Sequence, residues 1–137
     1  MRANVLVSTL TLLTLGASPV LAHHAFSAEF DANRPMTLKG TVNRTEWINP
    51  HSWIHVDVED ENGNVVTWAI ECGAPNSLMR RGLNKNSIPV GTELVIDGFG
   101  AKDGSNTANA RDITFPDGSQ FFVGSSGTGA PYDGPPE

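Results

Sequence analysis

The stretch HSWIHVDVEDENGNVVTWAIE, His51 to Glu71, decides the fold. In its first half Ser52, Ile54, Val56 and Val58 share one parity, while His51, Trp53, His55 and Asp57 share the other. Alternation with a period of two is the pattern of a strand that buries one face. Asn62-Gly63 follows, a pair suited to the positive backbone angles of a tight turn. VVTWAIE then returns with Val66, Trp68 and Ile70 on one face. The stretch therefore reads as a β-hairpin, aliphatic on one side and carrying His and Trp on the other. Its acidic run is not a calcium loop. A twelve-residue loop needs Gly at its sixth position and a closing Glu, and DVEDENGNVVTW offers Gly63 one place too late and Trp68 at the end.

Upstream, MTLKGTVNRTEW (Met36–Trp47) alternates as a strand, with Gly40 marking a bend or bulge of the kind a small barrel needs. Asn49-Pro50 breaks it. Downstream, APNSLMRRGL (Ala74–Leu83) reads as a short helix, with Pro75 near its start and Gly82 as its stop. Glu93–Phe99 is a further strand, KDGSNTANA (Lys102–Ala110) a polar loop, and RDITF and QFFVG a last hairpin around Asp117-Gly118. The expected fold is mainly β: a small OB-like barrel of five to six strands with one short helix between strands three and four. An immunoglobulin-like sandwich would want about seven strands and no helix there; a cupredoxin-like barrel is the third option. Ile54, Val56, Val66, Trp68, Ile70, Leu94, Ile96 and Ile113 are the expected core.

Residues 1–22 hold one charge, Arg2, and an apolar run from about Val5 to Ala17. Val20 and Ala22 occupy the positions a signal peptidase reads, so cleavage is expected between Ala22 and His23. The apolar run is shorter than the ~20 residues that span a bilayer, and no stable membrane insertion is expected after cleavage. The expected organisation is a signal peptide at 1–22, an N-terminal arm at 23–35, the barrel at 36–123 and a disordered Gly/Ser/Pro-rich tail at 124–137. The destination is the periplasm or the medium. A formal net charge of −6, with no basic cluster beyond Arg80-Arg81, argues against nucleic acid and anionic lipid as partners. The single cysteine, Cys72, has no partner for an internal disulfide and reads as a buried, inert thiol.

The motifs HHAFSAEFD, LKGTV, EWINPHSWIHVDVED, PNSLMRRG and AKDGSNTANARDITFPDG resemble those of a family of small exported bacterial proteins known only as a domain of unknown function. The resemblance runs from His23 to about Gly124. It implies an exported β-barrel-like domain and carries over no catalytic residue.

Two readings of function follow from the residues. In the first, cleavage gives His23 a free α-amine beside its own imidazole, and a third nitrogen from the barrel completes a set that suits Cu(II). The arrangement is similar to the histidine brace of copper monooxygenases and to the N-terminal histidine sites of periplasmic copper carriers. His24 offers a second mode, through its ring, the amine and the intervening amide. His51 and His55 are the barrel candidates, about 13 Å apart along a strand, so unless the strand begins after His51 only one of them joins His23. His51 is the more reachable; Asp57 could join a site at His55. In the second reading, a metal-free module binds a sugar, a peptide or an envelope protein across the barrel. Trp47, Asn49, His51 and Trp53 line one side, and Asp103, Ser105, Asn106 and Asn109 the other. No nucleophile, base and orienting group stand in a recognisable arrangement, so an enzyme is not expected.

Overall fold

A computed structural model describes residues 26–125 and 130–131. The expected signal peptide, His23 and His24, and most of the expected tail lie outside those residues. The elements are α1 (Phe26–Glu29), β1 (Phe30–Glu46), β2 (Trp53–Glu59), β3 (Val65–Glu71), α2 (Pro75–Arg80), β4 (Glu93–Ala101), β5 (Thr107–Thr114) and β6 (Gln120–Phe122). No helix among the described residues is long and apolar enough to cross a membrane.

β1 pairs with both β2 and β4, β2 with β3, and β4 with β5, all antiparallel. A parallel pairing of Ala69, Ile70 and Glu71 with Thr107, Ala108 and Asn109 joins β3 to β5 and closes the ring. The circular order β1-β2-β3-β5-β4, with α2 between β3 and β4, is that of the OB-like barrel. β6 adds a short outer strand on β5.

One long strand can serve two neighbours only if it bends. In β1 the bend falls where a Cβ on Gly40 would stand 2.8 Å from the Asp57 carbonyl oxygen, and the register with β2 shifts between Val42 and Arg44. Inside the ring, Val42, Ile54, Val56, Ile70, Leu94, Ile96 and Ile113 are buried, with Leu78, Leu83 and Ile88 of the α2 region packed against them. Val66 and Trp68, expected as full core residues, are only half-buried, although Trp68 packs on the core. The reason lies in the closure: β5 pairs with the last three residues of β3 and leaves the first half of that strand without a second neighbour.

Three boundaries differ from the sequence reading. Phe26–Pro35 is not a free arm, because α1 is a helical turn and β1 begins at Phe30. Phe26 and Phe30 anchor it, packing with Phe99 and Ala101 in a second apolar cluster outside the ring, and Ala130 adds to that cluster. The polar loop after β4 ends at Asn106, since Thr107–Ala110 already belong to β5. Gly124 at the start of the expected tail is buried against the barrel; residues 126–129 and 132–137 lie outside the described set. The β2–β3 hairpin closes as expected, but through a wider loop. The Asp60 carboxylate accepts the backbone N–H groups of Asn62 and Asn64, both at 2.8 Å, and Gly63 alone takes a positive φ.

Candidate functional site

Four polar side chains are buried among the described residues: His51, Ser52, Glu71 and Asn109. Three of them meet at one corner. The β3–β5 register sets Glu71 beside Asn109, and the β2–β3 register sets it beside Trp53, two residues after His51. All belong to the outward parity of the sheet, opposite Ile54 and Ile70, so their burial is tertiary. The chain beyond β6 passes over this corner: the Val123 carbonyl accepts the N–H of Gly73, and Ser125 Oγ lies 3.4 Å from His51 Nδ1.

His51 turns one ring nitrogen toward the end of β3. Its Nδ1 lies 3.3 Å from the Cys72 carbonyl oxygen and 3.7 Å from Glu71 Oε1. A carbonyl oxygen only accepts, so a hydrogen bond to it needs the proton on Nδ1, which turns Nε2 to the other side of the ring. Asn109 Nδ2 donates to the same Glu71 oxygen at 3.3 Å. An imidazole whose Nδ1–H is tied to a backbone carbonyl with a carboxylate alongside is oriented as metal-binding histidines are. Cys72, next in the chain, is fully buried and its thiol approaches the Ile70 carbonyl. Burial, reinforced by the Glu71 charge, pushes its pKa up, so it stays a neutral thiol and not a soft-metal ligand.

His55 has different surroundings. Its Nε2 lies 3.1 Å from both Glu46 Oε1 and Arg44 Nη2, and these two are themselves paired at 2.8 Å. Two side chains already compete for that nitrogen. Asp57, considered as a partner for His55, instead accepts from Asn43 Nδ2 at 2.9 Å and Thr67 Oγ1 at 2.7 Å. Among the described residues no three His, Cys, Asp or Glu side chains gather in a group that could hold a metal ion.

The proposed sugar- or peptide-binding set is scattered. Trp47 is not an exposed platform: it is half-buried against the core, and its Nε1 is buried with no hydrogen-bond partner among the described residues. Trp53 is half-buried on the outer face, as its parity requires, and Asn49 is exposed in the loop between β1 and β2. Asp103, Ser105 and Asn106 are exposed on the loop between β4 and β5. Asp103 accepts the Ser105 N–H at 2.9 Å and so holds its own turn. Side-chain and backbone hydrogen bonds from Ser105 lower its pKa. Asn109, expected on that loop, is buried in β5 instead. Glu71 was missed as a site residue. Its outward parity gives no hint of burial, and only the β3–β5 closure brings Asn109 against it.

The start of the described chain packs two strands away from Glu71. Phe26 packs edge-on to Phe99 at 5.4 Å between ring centroids, and Phe99 is the register partner of Asn109. Phe99 and Glu71 are therefore two ladder steps apart, about 10 Å at ~4.8 Å per step. His23 precedes Phe26 by three residues, a length of chain that spans up to about 10 Å before its side chain is counted.

The model of a family of unknown function, DUF6152, matches residues 11–110. Comparison with curated proteins and with solved structures finds no match.

Proposed function

The chain belongs to this family, DUF6152; membership brings no activity with it, and we propose from the site itself that the protein is an exported, non-catalytic binding protein that holds Cu(II) at the His51 corner. The donors are the α-amine and imidazole of His23, exposed by signal cleavage, and Nε2 of His51. His24 is the neighbouring donor in the second mode. The observation that carries the reading is the placement of His51, buried with its Nδ1 3.3 Å from the Cys72 carbonyl oxygen, so that Nε2 is directed away from that carbonyl. Glu71 and Asn109 support that ring from behind. Such a nitrogen set favours Cu(II) over the other common divalent metals. The protein's part is to present the donors and to exclude water from one side of the ring.

The test is metal titration of mature protein made in an exporting host. Mass spectrometry should place its first residue at His23. Competition against a chelating dye should then show one equivalent of Cu(II) bound with sub-micromolar affinity. One extra residue before His23 should weaken binding by displacing the α-amine. A peptide of residues 23–31 that bound copper as tightly as the folded protein would remove the barrel from the site and overturn the reading.

A second reading, a metal-free module for a sugar, a peptide or an envelope partner, has one observation in its favour. The buried Nε1 of Trp47 is a donor without an acceptor, and a buried N–H left unpaired is costly. A ligand oxygen reaching it from the loop between β1 and β2 would meet that need. Failure of copper binding together with protection of Trp47 by a sugar or peptide would favour this reading.

A further inference from the structure

His51 has a wall on its far side, and that wall is fastened by a residue from another element. After β6 the chain turns across the connection between β3 and α2. Gly73 N–H donates to the Val123 carbonyl at 2.7 Å. The approach is so close that a Cβ on Gly73 would stand 2.9 Å from the Gly124 carbonyl oxygen. Arg81, just after α2, grips the same segment twice. Its Nη1 donates to the Gly124 carbonyl at 2.8 Å, and its guanidinium lies 4.7 Å from the centroid of the Phe122 ring. The outcome of this grip is the position of Ser125, whose Oγ lies 3.4 Å from His51 Nδ1.

We infer that Val123–Ser125 is a clasp that closes the Nδ1 side of His51, and that Arg81 is the positioning residue that fastens it. The inference rests on the metal reading for its purpose but not for its geometry. A guanidinium that both donates to a carbonyl and covers an aromatic face holds a segment in place and in orientation, which an ammonium does less well. With the clasp shut, water is kept from the Nδ1–H, the Cys72 carbonyl keeps that proton, and Nε2 remains the nitrogen offered to a metal. With the clasp open, water competes for Nδ1 and the ring is free to exchange tautomers. Arg81 acts on His51 through the segment it fastens, by way of Phe122, Gly124 and Ser125.

The experiment uses the full mature chain, residues 23–137, without metal. Long-range proton–nitrogen correlation spectra report which nitrogen of His51 carries the proton and how fast that proton exchanges with water. The native chain should show a protonated Nδ1 in slow exchange. Arg81→Ala should speed that exchange at least ~10-fold, with Arg81→Lys falling between, while the methyl signals of Ile54 and Ile70 stay in place. Should Arg81→Ala disturb those methyl signals, Phe122→Leu, which removes only the ring beneath the guanidinium, decides by the same measurement. Unchanged exchange in a folded variant overturns the clasp. Copper supplies a separate arm, in which transfer from Arg81→Ala to a chelator should be about 10-fold faster, the scale on which supporting residues act at metal sites. Faster proton exchange in a protein that binds no copper would keep the clasp and remove the metal reading.

Discussion

His51 and His55 stand four residues apart, with the same parity, on the same side of one strand line, yet they occupy opposite kinds of surroundings. His55 lies on the open face, where Arg44 and Glu46 of β1 both reach its Nε2. His51 is 7% exposed at a closed corner, its Nδ1 turned toward a backbone carbonyl. The difference comes from the neighbours. At His55 the adjacent strands carry long charged side chains on one side and Ala69 on the other. At His51 three separate segments converge: the end of β3, the middle of β5 and the chain after β6. The same residue type becomes a half-buried partner of Arg44 and Glu46 in one place and an imidazole turned to a backbone carbonyl in the other. Parity assigns a side of the sheet and says nothing about what covers it.

The largest expected effect tests this contrast directly. His51→Ala should lower Cu(II) affinity by about 100-fold or more, since losing a ligand costs at least as much as losing a residue that supports one. His55→Ala should leave affinity within about twofold, measured by the same dye competition. Equal losses from the two substitutions would erase the distinction.

The next effect compares the carboxylates behind the two rings. Glu71→Ala leaves the buried amide of Asn109 without its acceptor and should destabilise the fold by about 1–3 kcal/mol in urea unfolding. Glu46→Ala breaks a half-exposed pair and should cost under ~1 kcal/mol. A smaller loss at Glu71 than at Glu46 would mean that the closed corner is no more constrained than the open face.

A smaller effect is expected within the open face itself. Asp57→Asn should cost at most about 1 kcal/mol, because the Asn43 and Thr67 groups that it frees are exposed and return to water. A larger loss would show that the outer face of β2 is under tighter constraint than its exposure suggests.

The smallest effect concerns pH and the loop at the end of that face. Hydrogen bonds from the Asn64 backbone and side chain hold the Asp60 carboxyl below its ordinary value of 3.8. A carboxyl whose folded pKa is depressed stabilises its turn above the ordinary value, and that contribution is lost as pH falls through the folded value. Amide signals of Asn62 and Asn64 should therefore move together below pH 3.8 and stay constant above it. Asn62 and Asn64 signals that moved at different pH values would show that Asp60 does not hold the turn as one unit.

Several features were legible in the residues alone. The alternation of Ser52, Ile54, Val56 and Val58 against His51, Trp53, His55 and Asp57 fixed the hairpin and its faces, because a strand has only two sides. Pro75 and Gly82 bracketed a helix that spans Pro75–Arg80, and Gly40 marked the bend in β1, since local backbone chemistry acts over a few residues. The burial of Cys72 agrees with its sequence surroundings, where no Cys, Lys or Arg stands next to it and Gly73 suggests close backbone packing.

The surroundings of each outward side chain were settled only by contacts distant in sequence. Glu71 meets Asn109 across 38 residues and His51 meets Ser125 across 74. A parallel closure and a returning chain end made both contacts, and neither leaves a local pattern. Val66 and Trp68 show the same limit from the opposite side, with inward parity but no second strand to complete their burial. Sequence sets the direction of a side chain through the backbone's own period. Tertiary structure sets its environment, because desolvation and hydrogen bonding depend on whichever segment arrives to cover it.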